Sequence, residues 1–203
     1  MCIRDSNLLI GFSAGSIATL IAVSMALFSG YKGGKWDAGL RSVIDGFLVI
    51  PTWPILAALA VYITSPSIIT MVAILAIFGW PFAARTIRAQ VLSLKERMFV
   101  DFAKISGLSD IEIIFKEITP NLLPFIIVGY ANSVIAAILS ETGLRVLGIG
   151  PANIPTLGLI LNNVLRGGYI IMGKYLTIFV PLLLLSLIFI SLNVMNMGLD
   201  ETF

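Results

Sequence analysis

Histidine is missing from this 203-residue chain, and cysteine occurs once, as Cys2. Without histidine there is no imidazole acid–base chemistry, no His-based metal site and no rhomboid-type or zinc-type intramembrane protease. A lone cysteine excludes an internal disulfide framework and a cysteine metal site. Charge is scarce too: Asp, Glu, Lys and Arg make up 12% of residues, against about 25% in ordinary globular domains. The net charge of +2 is too small to point to a nucleic-acid partner. No G-x-x-x-x-G-K-[ST] occurs, since Gly34-Lys35 runs into Trp36 and Gly173-Lys174 into Tyr175, so no P-loop cradles nucleotide phosphates. The one G-x-S-x-G match, Gly11-Phe12-Ser13-Ala14-Gly15, lies inside an apolar run in a chain with no histidine to serve as its base, and H-E-x-x-H is absent. A process that needs energy would draw it from a partner or from an ion gradient.

What the chain has is apolar length. Hydrophobic residues make up 58% and the mean hydropathy is +1.02. Runs of about 20 apolar residues suffice to cross a bilayer as helices. Such runs fall near 7–29, 44–63, 68–86, 122–139 and 175–197. The expected fold class is all-α: a polytopic membrane helix bundle with five spans. Gly11, Gly15, Ala18 and Ala22 give the first span a small-residue face suited to close helix contact. Pro51 and Pro54 should kink the second span. The stretch 141–168 is too polar and too rich in Gly and Pro for a clean span, and reads as a loop folding back toward the bilayer. Backbone of that kind is tolerated at membrane depth only when protein or a water-filled cavity surrounds it.

The longest polar interruption is KERMFVDFAKISGLSDIEIIFKEITPNLLP, 95–124. Apolar residues recur at helical spacing up to Ile105, Gly107 breaks the run, and a second short helix alternates Asp110, Glu112, Lys116 and Glu117 with isoleucines and Phe115. Pro120 and Pro124 are expected to end that helix. With the turn at 30–43, the segment 87–120 and the C-terminus placed in the cytosol, nine of the thirteen Lys and Arg lie inside once Arg85 is counted with them. The opposite topology puts those nine outside, so the positive-inside rule selects the first.

This segment resembles the cytosolic coupling loop of ABC-importer permeases, whose pattern reads roughly E-A-A, three residues, G, and a closing hydrophobic pair with Pro. Asp101-Phe102-Ala103 stands for E-A-A, Gly107 for the glycine and Ile118-Thr119-Pro120 for the closing element. Asp for Glu, Phe for the first Ala and Thr119 for Leu are departures. Arg88 to Arg97, RAQVLSLKER, is similar to the dipeptide and oligopeptide branch of that family. The resemblance implies a subunit of a prokaryotic inner-membrane importer, with 7–203 as the permease domain and the coupling loop at about 95–120. It implies as partners ABC ATPase subunits that bind ATP and Mg, a second homologous permease subunit, an extracytoplasmic solute-binding protein and membrane lipid. No cofactor is expected on this chain itself. Phe99, Phe102 and Ile105 would enter the groove of the ATPase, with Asp101, Ala103, Gly107, Ile118 and Pro120 shaping the loop.

The same resemblance makes residues 1–6 a non-native or truncated stub and the chain a fragment lacking a first span, six being expected in the intact protein. Glu141 and Arg145 are four apart at the far end of a span. They are read either as a pathway or binding-protein contact, or as a local pair stabilising a helix end by a few tenths of a kcal/mol. The alternative to an importer is a gradient-driven transporter or channel. That would need ionisable residues in mid-span, and the clean spans carry essentially none.

Overall fold

A computed structural model describes residues 3–62, 67–151 and 153–202, with side chains described over 6–59, 67–151 and 153–198. Met1, Cys2, residues 63–66, Ala152 and Phe203 lie outside the described residues. All regular elements in the described residues are helical. They are α1 (Ile3–Lys32), α2 (Gly34–Val49), α3 (Thr52–Tyr62), α4 (Ile68–Leu94), α5 (Met98–Ile105), α6 (Asp110–Glu112), a π-helical segment (Ile113–Ile118), α7 (Thr119–Val146), α8 (Leu157–Arg166) and α9 (Leu176–Thr202). Four helical runs are long and apolar enough to cross a membrane, and the bent pair α2–α3 would make a fifth.

The expected small-residue face of α1 is where the bundle closes. Ala14, Ala18, Ala22 and Ala26 are all buried, and α4 and α7 pack on either side. A Cβ on Gly15 would lie 3.0 Å from the backbone nitrogen of Val134, so α7 approaches to a distance only glycine allows. Farther along, Ala18, Ala22 and Ala26 meet Trp80, Ala84, Ile87 and Val91 of α4. Small residues bring the helix backbones together where hydrophobic burial offers little gain over lipid. The outer faces are apolar and uncovered, including Leu20, Ile69, Leu183 and Ile190, as lipid contact requires.

The second span departs from expectation. It starts at Gly34 instead of residue 44, and it is broken rather than kinked: α2 and α3 meet at 75°. Pro51 lacks an N–H and forces its predecessor out of the helical region. Accordingly, Ile50 is extended, with φ −68° and ψ 124°. Where α2 begins, Arg88 of α4 donates through Nε and Nη2 to the two carboxylate oxygens of Asp37, both at 2.5 Å. The third span also runs on, through Pro81 to Leu94, so Arg85 and Arg88 belong to the helix and not to the polar loop.

The stop expected at Pro120 and Pro124 does not exist. Asp110 to Val146 is one helical run of 37 residues. A proline ring clashes with the carbonyl four residues back and has no N–H to bond it. The wider π turn over 113–118 accommodates Pro120 just beyond it, where Pro120 occupies the first turn of α7. The Thr119 hydroxyl donates to Ile114 O at 2.7 Å, five residues back. Likewise, α7 continues through Glu141 to Val146, and the returning stretch forms the short helix α8 against α7.

Candidate functional site

At one end of the bundle, α5, α6 and the π-helical segment form a fixed platform. Ser109 caps α6 in a reciprocal capping box with Glu112. Gly107 ends α5 with φ +80°, a left-handed conformation that L side chains adopt at a cost. Its N–H donates to Lys104 O at 3.0 Å while that of Leu108 donates to Ala103 O at 3.1 Å, the paired bonds of a Schellman motif. The inner side of the platform consists of Val100, Ala103, Ile113 and Ile118, all buried in one cluster with Ala84, Ile87 and Val91. Burying each large aliphatic side chain is worth about 1.5–3 kcal/mol, which holds the platform to α4. One polar tie adds to this, Tyr31 Oη donating to Asp110 Oδ1 at 3.0 Å, while Lys95 Nζ, at the end of α4, donates to Gly30 O of α1 at 3.3 Å.

The outer side is apolar and open. Met98, Phe102 and Ile105, at positions i, i+4 and i+7 of α5, are 77%, 67% and 82% exposed, and Ile111 and Phe115 continue the surface. Salt bridges from Lys104 to Asp101 at 3.2 Å and from Lys116 to Glu112 at 3.0 Å lie among these side chains.

The structure sorts the candidate residues by side. Phe102, Ile105 and Asp101 face outward, and Pro120, in the first turn of α7, is exposed. Ala103 and Ile118 face inward and anchor. Phe99, expected to enter the same groove as Phe102 and Ile105, is partly buried and packs against the inner cluster. Met98, Ile111 and Phe115 complete the open face and were missed as site residues. The signal for Met98 was its i, i+4, i+7 spacing with Phe102 and Ile105.

At the opposite end, Glu141 and Arg145 are fully buried, at 0% and 1% exposure, and neither reading made from the sequence placed them there. Within this chain they offer no surface to a partner, and they are more than a local pair. Arg145 Nε donates to Glu141 Oε1 at 3.0 Å, and its Nη1 donates to Pro151 O. Asn7, the first residue after the expected stub, is also buried. Its Nδ2 donates to Glu141 Oε2 at 3.1 Å, and its Oδ1 accepts the N–H of Leu157 at 2.8 Å. Asn162 Nδ2 donates to Val146 O at 2.7 Å. Four segments, the start of α1, the end of α7, the 147–156 loop and the start of α8, are thus joined by one polar network. Asn7 was missed as well, and a polar amide at the edge of an apolar run was the only signal.

Among the described residues, no group of three or more Asp, Glu or Cys side chains is placed to hold a metal ion. The parts on view are a close-packed multi-pass helical bundle, a rigid polar platform at one end with an open apolar face, and a buried charged brace at the other. Together these define a multi-pass integral membrane protein of the helical-bundle class.

Comparison with known proteins gives the family. Residues 18–200 match the binding-protein-dependent transport system inner membrane component family, and the chain belongs to it. It is 38% identical over 147 residues to the oligopeptide transport system permease protein OppC of Mycobacterium tuberculosis, covering 72% of this chain and 50% of that protein. It is 32% identical over 196 residues to the dipeptide transport system permease protein DppC of Bacillus subtilis, covering 96% of this chain and 60% of that protein. Another relative is OppC of Lactococcus lactis, 32% identical over 155 residues, covering 76% of this chain and 53% of that protein. The chain spans about half the length of the curated relatives it matches.

Proposed function

We propose that this chain is the membrane subunit of an ATP-driven importer that brings peptides into the cell. ATP and Mg are bound by a separate ATPase whose groove receives the outer face of the platform. The observation that carries this reading is the contrast between the platform's two sides. An element pinned to the core by Val100, Ala103, Ile113 and Ile118, yet exposing Met98, Phe102, Ile105 and Phe115, is built to seat on a partner. Docked apolar residues of this kind concentrate binding energy.

The helical continuity from Asp110 to Val146 gives a route for the stroke. When the ATPase dimer closes, the platform moves with it. Because α6, the π-helical segment and α7 are one run, displacement at Phe115 is passed to the far end of α7, and the spans rock between inward-open and outward-open states. The names of the relatives, oligopeptide and dipeptide permeases, support peptides as the solute. A second permease subunit, a solute-binding protein outside the membrane and lipid around α9 complete the assembly. The lysine and arginine count supports a cytosolic side that holds the platform, the α1–α2 junction and the C-terminus.

The test is purification of the full complex in mild detergent from membranes carrying either the natural chain or a Phe102→Asp/Ile105→Asp variant. The natural chain should co-elute with a P-loop ATPase. The variant should remain in the membrane but bind that ATPase at least about 30-fold more weakly, as expected for a hot-spot loss. Undiminished co-elution with the variant overturns the docking assignment. A natural chain that elutes without any ATPase overturns the importer reading.

A further inference from the structure

A cleft of about 300 Å³ lies beside α3 and is open on the side where Phe82 and Trp53 are 64% and 47% exposed. Its walls carry Thr52 and Trp53 of α3, Phe78 and Phe82 of α4, and Ser133 and Ser140 of α7, with small residues of α1 behind them. No Asp, Glu, Lys or Arg lines it. It lies between α1, α3, α4 and α7, and so differs from the groove between α8 and α9. That groove is apolar except for Thr177 and is lined by outward-facing residues such as Val180 and Leu184, which suits an acyl chain. Of the three hydroxyls, that of Ser133 donates to Gly129 O at 2.8 Å and so offers the cleft only an acceptor; an acyl chain has no use for any of them. A peptide does, because its amides need donors and acceptors wherever water has been removed. Aromatic walls with a few convergent polar groups are the usual make-up of a small-molecule site, and this volume is at the low end of the range. The space holds one side chain with its peptide unit, not a whole oligopeptide.

The α3 wall is the loosest part of the cleft. Leu56 is its only buried residue among the described side chains, and Trp53 is half exposed. The indole of Trp53 rests on Gly143, where an added Cβ would collide with the ring. Gly143 lies two residues from both Glu141 and Arg145, so Trp53 rests on the side of α7 opposite the buried brace. Movement of the far end of α7 therefore shifts the surface against which Trp53 is placed.

We infer that this cleft is a solute-contact site within the membrane subunit that accepts an apolar or aromatic side chain of the transported peptide, with Trp53 as its movable wall. The inference rests on the peptide-importer reading above.

The test uses the complete complex in proteoliposomes, with Cys2→Ser and Ser140→Cys introduced so that one thiol reports on the cleft. The peptide Ala-Phe-Ala should slow thiol labelling at residue 140 by at least about five-fold, and triglycine by less than about two-fold, the scale on which apolar pockets discriminate. In parallel, Ala136→Phe, which fills the cleft, should raise KM for Ala-Phe-Ala about ten-fold while leaving triglycine within about two-fold. Labelling unaffected by either peptide, or slowed equally by both, overturns the inference even when the natural complex transports peptide normally. A natural complex that accumulates no peptide on ATP sinks the importer reading, and this inference with it.

Discussion

Replacing Glu141 by alanine is the sharpest test of the brace. An exposed i,i+4 ion pair contributes about 0.3–0.5 kcal/mol, and on that footing the change would hardly register. Here both partners are buried, at 0% and 1% exposure, and the substitution leaves the Arg145 guanidinium inside the bundle with Pro151 O as its remaining partner. Asn7 Nδ2 loses its acceptor as well. Removing one member of a buried pair costs about 3–5 kcal/mol, because the other charge is left uncompensated. For a chain of this size that corresponds to a fall in melting temperature of about 6–20 °C. Replacing both residues by methionine removes the stranded charge and should recover most of the loss. The measurement is thermal unfolding of the complex in detergent, run as a double-mutant cycle. A loss below about 0.5 kcal/mol for Glu141→Ala would show that the pair behaves like an exposed one, and the burial argument would fail.

Gly107→Ala meets no atom within 4 Å, so its cost is conformational alone, about 1–2 kcal/mol for a left-handed residue; membrane insertion should be normal and ATP-driven uptake reduced, and unchanged uptake in vesicles would refute the role given to the turn. Gly15→Ala places a methyl 3.0 Å from Val134 N, with no flexible atom to yield on that side. It should destabilise by about 1–3 kcal/mol, visible as a lower melting temperature, whereas a neutral result would mean that α1 and α7 do not pack this closely.

The all-helical bundle was legible in the sequence because span length and hydropathy are set by the solvent rather than by partners. The small-residue face of α1 was legible for a similar reason, since only glycine and alanine permit that approach. Prolines were harder to read, because their effect depends on how the neighbouring turn relaxes. Pro51 broke a helix outright, Pro81 was absorbed in α4, and Pro120 was accommodated by a π-helical stretch. Which side of the platform faced the core could be read for Phe102 but not for Phe99, whose neighbours on α4 come from elsewhere in the sequence. The Glu141–Arg145–Asn7 network was the least legible, since it joins residues 134 positions apart. Spacing along a single helix carries no information about burial supplied by others.

The π-helical segment has a consequence for the orientation of α7. Each residue of an α-helix advances the chain by about 100° around its axis, and a π turn accommodates one residue more than an α turn does. The segment Ile113–Ile118 therefore acts as a phase shift, setting the angular position of everything beyond it independently of everything before it. Deleting one residue there would convert the π turn to an α turn and leave the Gly15-facing stripe of α7 at nearly the same angle to the platform, whereas the same deletion in an α-helical stretch would rotate it by about a quarter turn. The chain thus keeps two surfaces in register, one for a partner in water and one for neighbouring helices in lipid, through a single irregular turn between them.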